Sequence, residues 1–355
     1  MKHSFLISSG RAALFIILKI LQKGMKKKEV IVPGYTCFTV GASIARAGLR
    51  ILPCDLSVET FGFDLKSLKQ MKCDNVLCIL PTHLFGLPAN LADIRKLFQG
   101  EGIAVIEDAA QAFGGESNGK KLGTLGDVGF FSLQRGKNIT TMEGGIIVTN
   151  SEWYGKEISE EVSKLPSQNA SEIYSTFLTV LIYWLFLEPA LYWIPDRLPF
   201  VKLGVTDFRM DFSVKALSYF QAGVGRTVLS KLDEYNQIRR LNTDYLYKNI
   251  PQSQAYIIPH SIDGSLPPLI RFPIVFKDLK LRDKIHESLQ RHGIGSSKMY
   301  PLAIGEVPEA SSYLSGYSYP LPSSRTIAGG ILTLPTHPLV TQKDLELIVN
   351  IFSSR

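Results

Sequence analysis

Between residues 10 and 150 the chain alternates two kinds of apolar segment, and no other feature of its 355 residues limits the fold as much. Ala12 to Leu21 is long enough for a buried helix, with Ser8 or Ser9 and Gly10 as its start signal. Glu29 to Val32 runs into Pro33-Gly34, as a strand does when it ends in a turn. Asn75 to Leu80 and Ile103 to Ile106 are short apolar runs of the buried parallel-strand kind, with a helical stretch from Leu91 to Phe98 between them. Val128 to Ser132 and Ile146 to Thr149 add two more strands around a polar loop. The expected fold class is α/β, with a mostly parallel sheet covered by helices. Such sheets bind ligands beyond the carboxyl ends of their strands, so chemistry is sought just after Val32, Leu80, Ile106 and Phe131.

The rhythm breaks from 150 to 212, where a polar stretch from Ser151 to Ala170 precedes a long apolar one. It returns with a helical pattern from Ala216 to Leu232 and a polar helix through Tyr235 to Tyr247. Leu269 to Phe276 reads as a strand and Leu279 to His292 as a helix stopped by Gly293. Ile331 to Leu334 is a further strand, and a last helix opens at Thr341. The expected organisation is a large domain at 1–235, carrying an apolar insertion at about 151–212, and a small C-terminal α+β domain at 236–355.

Thirty-nine basic against 32 acidic residues leave a net charge of +7. This excess suits a phosphate-bearing substrate or an anionic lipid surface and is too diffuse for a nucleic-acid stripe. The basic run Lys26 to Lys28 fits a solvated turn. Four cysteines at 37, 54, 73 and 78 have neither C-x-x-C spacing nor the density of a disulfide framework, which argues against structural zinc and an oxidising compartment. Met1, Lys2 and His3 are followed by an apolar helix broken at Ser8 to Arg11, with no A-x-A-like site after it, which argues against a signal peptide. The expected location is cytoplasmic.

The informative block runs from Glu107 to Gly145. Asp108 directly follows an apolar strand, which puts a carboxylate at the ligand-binding edge; taken alone it reads equally as a helix cap. Ser132 ends another strand, and Lys137 follows five residues later in a loop closed by Gly144-Gly145. Alone, Lys137 reads as an exposed loop lysine. A carboxylate, a hydroxyl, an amine and a helix N-terminus around one crevice are what pyridoxal phosphate requires. The amine forms the Schiff base, the carboxylate keeps the pyridine nitrogen protonated, and hydroxyls with backbone amides hold the phosphate. The helix opening near Gly10 offers the phosphate seat.

These segments resemble the DegT/DnrJ/EryC1/StrS family of pyridoxal-phosphate sugar aminotransferases. E-D-A-A-[QH]-A-x-G is Glu107 to Gly114, G-x-x-G-D-x-G-x-F-S is Gly123 to Ser132, and S-x-x-x-x-K-x-x-x-x-x-G-G is Ser132 to Gly145. An S-G-T-x-A-L-like start is Ser9 to Leu14, P-x-[FY]-T is Pro33 to Thr36, H-x-F-G-x-P is His83 to Pro88, and L-P-x-H-P is Leu334 to Pro338. The resemblance covers nearly the whole chain. It implies the fold-type-I architecture and a homodimer in which the partner subunit completes each site. By position it implies Lys137 as the Schiff-base lysine and Asp108 as the pyridinium partner. Ser132, Gly10 and Arg11 become phosphate ligands, and Gln111 lies beside the ring. Where many members stack an aromatic on the ring this chain has Cys37, and the flanking Tyr35 and Phe38 are the expected cofactor contacts in its place. His83 is read as an active-site residue, with a satisfied histidine at a strand end as the alternative.

Two departures accompany the resemblance. The segment that usually precedes the phosphate helix is expected to be missing. In place of the family's N-Y-R motif, whose Asn reaches the neighbouring subunit's cofactor, stand Val214, Lys215 and Ala216, with Lys215 either a substitute point charge or a surface lysine. The implied reaction is transfer of an amino group from glutamate to a nucleotide-linked or lipid-linked keto-sugar, in surface polysaccharide or glycoconjugate biosynthesis. The rivals are a sugar dehydratase, a branch that has lost the Schiff-base lysine, and an inactive cofactor-bearing scaffold at the membrane.

Ile173 to Leu187 is fifteen residues without a charge, followed by Glu188-Pro189 and a second aromatic-rich piece to Phe200. Fifteen helical residues reach about 22 Å, short of the roughly 30 Å hydrocarbon core. Two expectations remain, a surface contact of residues 173–203 with the inner face of the cytoplasmic membrane, or a buried dimer-interface helix; the first is preferred.

Overall fold

A computed structural model describes residues 1–186, 207–316 and 319–354. Strands β1 (His3–Ile7), β2 (Glu29–Pro33), β3 (Arg50–Cys54), β4 (Val76–Ile79), β5 (Ala104–Asp108), β8 (Val128–Ser132) and β9 (Gly145–Thr149) build a seven-stranded sheet in the order β1-β9-β8-β5-β4-β2-β3. The run β8-β5-β4-β2-β3 is parallel, and β9 opposes both of its neighbours. The short strands β6 (Glu116–Ser117) and β7 (Lys120–Lys121) form a separate sheet with β11 (Ser265–Leu266).

Register places the site. Asp108 faces Phe130 across β5 and β8, Ser132 faces Gly145, and Gly145 faces Ile7 on its other side. The carboxyl ends of β1, β5 and β8 therefore meet at one edge. The apolar run at Ser4 to Ile7, expected as helix, is strand β1; so short a run does not repay helix nucleation, whereas pairing with β9 satisfies its backbone from His3 to Ile7.

Helix α1 (Gly10–Leu21) buries eight of its twelve residues, from Ala12 to Leu21, because it is apolar on nearly every side. A helix so enclosed fixes the position of its own N-terminus. It packs against α2 (Phe38–Arg46), an element the apolar pattern leaves unassigned. The helices α3 (Leu65–Lys69) and α4 (Leu91–Leu97) are short connectors. The polar stretch after Ser151 contains α5 (Glu152–Ser163), which covers the β1 edge through buried Ile158 and pairs Lys23 with Glu157 and Glu161. Then comes α6 (Ala170–Phe186); residues 187–206, in which the second half of the expected insertion falls, lie outside the described residues.

Helices α7 (Tyr219–Leu229) and α8 (Leu232–Asn249) lead to the C-terminal unit, an antiparallel sheet of β10 (Tyr256–Ile257), β12 (Arg271–Phe276) and β13 (Ile331–Pro335). It is covered by α9 (Leu279–Arg291), α10 (Pro322–Gly330) and α11 (Gln342–Ser353), the last opened by a Thr341–Asp344 capping box. A boundary at 235 falls inside α8. Asn236 bonds Asn138 and the Phe113 carbonyl on the large sheet's side, while Asn242 bonds the Thr336 carbonyl on the other, so α8 ties the two units together.

Candidate active site

Asp108 ends β5 with only 4% of its surface exposed. Its Oδ1 accepts the Ala110 N–H at 3.0 Å, while among the described residues Oδ2 has only the Thr82 hydroxyl, at 3.5 Å. Lys137 sits in the loop after β8. The residue is half-buried, and its amine takes no hydrogen bond or ion pair among the described residues. Gly10, Arg11, Asp108, Gln111, Ser132 and Lys137 all line one cleft. Burial pushes the Asp108 carboxyl above the ordinary aspartate range, opposed chiefly by the Ala110 N–H and the Lys137 charge. Burial likewise holds the Lys137 amine below the ordinary lysine value, against the pull of Cys37 and Asp108. An amine that sheds its proton readily thus shares a crevice with a carboxylate that has acceptor capacity to spare.

The N-terminus of α1 completes the cleft. Ser9 Oγ caps the Ala12 N–H at 3.1 Å, leaving the Gly10 and Arg11 N–H groups at the open end of the helix dipole. Close approach is built in on both sides. A Cβ on Gly10 would lie 3.0 Å from Ser132 Cβ and 3.3 Å from its Oγ, and one on Gly145 would come within 2.4 Å of the Ser9 carbonyl oxygen. The Arg11 guanidinium lies over Phe212, 5.3 Å from the ring centroid.

These features fit pyridoxal phosphate. Asp108 Oδ2 can take a ring N–H, the α1 end and the Ser132 hydroxyl can take the phosphate, and the unengaged Lys137 amine can take the carbonyl carbon. Thr36 Oγ1 is a further mark of a missing polar partner: it belongs to a cleft-lining residue, is buried, and has no hydrogen bond among the described residues.

Three expected cofactor contacts are placed elsewhere. His83 is fully buried and does not line the cleft. Its Nδ1 accepts the Ala89 N–H at 2.9 Å, which puts the proton on Nε2, donated to Glu107 Oε1 at 2.8 Å. Both ring nitrogens are thereby spent, as in the satisfied-histidine alternative. Tyr35 is also fully buried; its hydroxyl donates to the Met299 carbonyl at 2.5 Å and accepts the Tyr300 N–H at 2.6 Å. Phe38 packs on the Tyr300 ring at 5.7 Å. The residues of this segment that do line the cleft are Thr36 and Cys37, the latter with Sγ 2.9 Å from Thr39 Oγ1.

Gln111 accepts the Phe85 N–H at 2.7 Å and donates to the Tyr300 hydroxyl at 3.3 Å, so a residue far along the chain braces the cleft floor. Thr82 and Tyr300 escape sequence reasoning, and Thr36 enters it only as the last residue of P-x-[FY]-T, with no role. Thr36 and Thr82 both sit just after strands, a signal that could have found them. The Lys215 amine is bonded to Glu172 at 2.6 Å, so its charge is neutralised within the chain.

The model of the DegT/DnrJ/EryC1/StrS aminotransferase family matches residues 1–353. The chain belongs to this family. The enzymes of this family include pyridoxal-phosphate-dependent sugar aminotransferases. The chain is 26% identical over 353 residues to a pleiotropic regulatory protein of Geobacillus stearothermophilus, covering 98% of this chain and 83% of that protein. It is 25% identical over 350 residues to the UDP-N-acetyl-3-dehydro-alpha-D-glucosamine 3-aminotransferase of Acidithiobacillus ferrooxidans, with the same coverage of 98% and 83%. The fold matches the solved E. coli GDP-4-keto-6-deoxy-D-mannose-3-dehydratase with bound hydrated pyridoxal phosphate, with a TM-score of 0.76 and 21% identity over 99% of this chain and 87% of that one. This family member thus has the fold-type-I architecture, with its cleft at the carboxyl ends of the strands.

Proposed function

We propose that this enzyme moves an amino group from an amino-acid donor, glutamate, to a keto-sugar carried on a nucleotide, releasing the keto acid. The observation that carries the reading is the convergence of Lys137, Asp108 and the α1 N-terminus on one cleft. Bound pyridoxal phosphate supplies a carbonyl that exchanges amino groups and a ring that withdraws electrons. Asp108 Oδ2 holds a proton on the ring nitrogen. The Gly10 and Arg11 N–H groups and the Ser132 hydroxyl bind the phosphate. Lys137, with its lowered amine pKa, would anchor the cofactor and, once freed from it by the incoming amine, would take up and return a proton at Nζ. Thr36 Oγ1 offers a further hydrogen bond from the cleft wall, and Gln111 holds the floor against Tyr300.

A sugar dehydratase reading shares the fold, but that branch lacks the Schiff-base lysine, and Lys137 is present. An inactive scaffold is separated by turnover. The loaded enzyme, given glutamate and a panel of nucleotide keto-sugars, is expected to form 2-oxoglutarate and an amino sugar together; no 2-oxoglutarate with any acceptor overturns the proposal. The same reading includes a homodimer with shared active sites, as the family resemblance implies, and a place in surface polysaccharide or glycoconjugate synthesis. Sedimentation of an active, strictly monomeric enzyme would remove the dimer.

A further inference from the structure

Helix α6 is an anomaly of burial. From Ile173 onward it carries no ionisable group except tyrosine, yet none of its described side chains is buried. Tyr174 is 62% exposed, Phe177 45%, Leu181 41%, Ile182 53% and Trp184 66%. At 100° per residue the large exposed apolar side chains, from Trp184 round to Ile182, span about 160° of the helix circumference, with Ser171 among them and Ser175 and Thr179 beyond Ile182 at one edge. The half-exposed strip opposite holds Glu172 and Thr176, and Glu172 ties the N-terminal end to the protein body through Lys215 at 2.6 Å. The charged end of the helix is therefore anchored, and the apolar remainder is presented outward. Phe177 touches Phe220 with ring centroids 5.9 Å apart, and Tyr219 beside it is 97% exposed, which extends the patch onto α7.

We propose that the outer face of α6 is a lipid-contact surface that lies in the headgroup and acyl boundary of an anionic bilayer without crossing it. A docked second copy covers a stripe of roughly 100°, whereas the exposed apolar arc here is about 160° wide and suits a broad fluid surface into which one side of the helix sinks. Seventeen residues span about 26 Å, less than the roughly 30 Å of the hydrocarbon core, and no helix among the described residues is long and apolar enough to cross a membrane. Tyr174 and Trp184 supply amphipathic rings toward the two ends, at the depth where such rings settle. The net charge of +7 complements anionic lipid. The inference is independent of the proposed reaction.

The test is flotation of the full-length, cofactor-loaded protein with vesicles of mixed phosphatidylglycerol and phosphatidylethanolamine, beside a variant carrying Phe177→Ser, Leu181→Ser and Trp184→Ser. The wild type is expected to float and to stay bound at about 1 M salt, where surface charge is screened. The variant's bound fraction is expected to fall about tenfold or more, with cofactor absorbance and sedimentation coefficient unchanged. Brominated lipid should quench wild-type tryptophan fluorescence, and Trp184→Phe should remove most of that quenching, which tests the surface even if the triple variant does not fold. Wild type remaining at the bottom of the gradient overturns the proposal. So does a triple variant that loses its oligomer while the wild type ignores vesicles, since the face would then join two copies of this chain.

Discussion

His83 Nε2 donates to Glu107 Oε1 at 2.8 Å, with neither side chain exposed to solvent. Glu107 also accepts the N–H groups of Gly123 at 2.6 Å, Leu125 at 2.6 Å and Gly126 at 2.8 Å. One carboxylate thus ties the loops after β4 and before β8 to the end of β5. Neighbours on a strand point to opposite faces, so the anchoring of Glu107 beneath the sheet edge presents Asp108 to the cleft.

Replacing Glu107 by Gln sets an amide NH2 group among four donors. Breaking a buried charged network of this kind costs about 3–5 kcal/mol, so the melting temperature should fall by several degrees and the cofactor should bind more weakly. Burial pushes the Glu107 carboxyl up, but the His83 and backbone N–H bonds outweigh it and leave it below the ordinary glutamate value. A carboxyl depressed on folding stabilises above its unfolded pKa of about 4.3 and loses that contribution as pH falls through the folded value. Acid unfolding curves should therefore show a steeper low-pH loss in the wild type than in Glu107→Gln. Equal melting temperatures at neutral pH would contradict this role.

Asp108→Asn keeps size and hydrogen bonding but removes the charge set against the ring nitrogen. Turnover should fall at least about 100-fold while some cofactor remains bound. Steady-state rates and the visible absorbance, read on the same sample, check it; near-normal turnover would remove Asp108 from the mechanism.

Gly145→Ala places a Cβ within 2.4 Å of the Ser9 carbonyl oxygen and 2.8 Å of the Gly10 nitrogen, so the α1 terminus has to move. Overpacking of this kind costs about 1–3 kcal/mol, and the displaced N–H groups should weaken cofactor affinity as well. Gly223→Ala, in α7 with open space around the site of a Cβ, is the control and should be neutral or stabilising by up to about 1 kcal/mol. Equal cofactor dissociation constants for the two variants would show that the Gly145 contact does not position the seat.

The strands that carry Asp108 and Ser132 are legible because β5 and β8 are buried on both faces and read as short apolar runs. The same logic misses α2 and β3, where Gly41, Ser43, Arg50 and Pro53 dilute the apolar signal and tertiary packing supplies the rest. It also misreads β1, which takes its hydrogen bonds from a strand about 140 residues further on, a pairing no local pattern announces. That Lys137 and Asp108 line one cleft follows from motif spacing and is legible. The withdrawal of His83, Tyr35 and Phe38 from the cleft is not, because it depends on Glu107, Met299 and Tyr300, partners brought near only by the fold.

The central claim is that Lys137 carries the cofactor. Borohydride reduction of the loaded protein, followed by proteolysis and mass spectrometry, should find the pyridoxyl group on the peptide containing Lys137. In Lys137→Ala the label should be absent while the melting curve stays cooperative. A reduced adduct on any other lysine, or one that survives in Lys137→Ala, would contradict the account of the whole site.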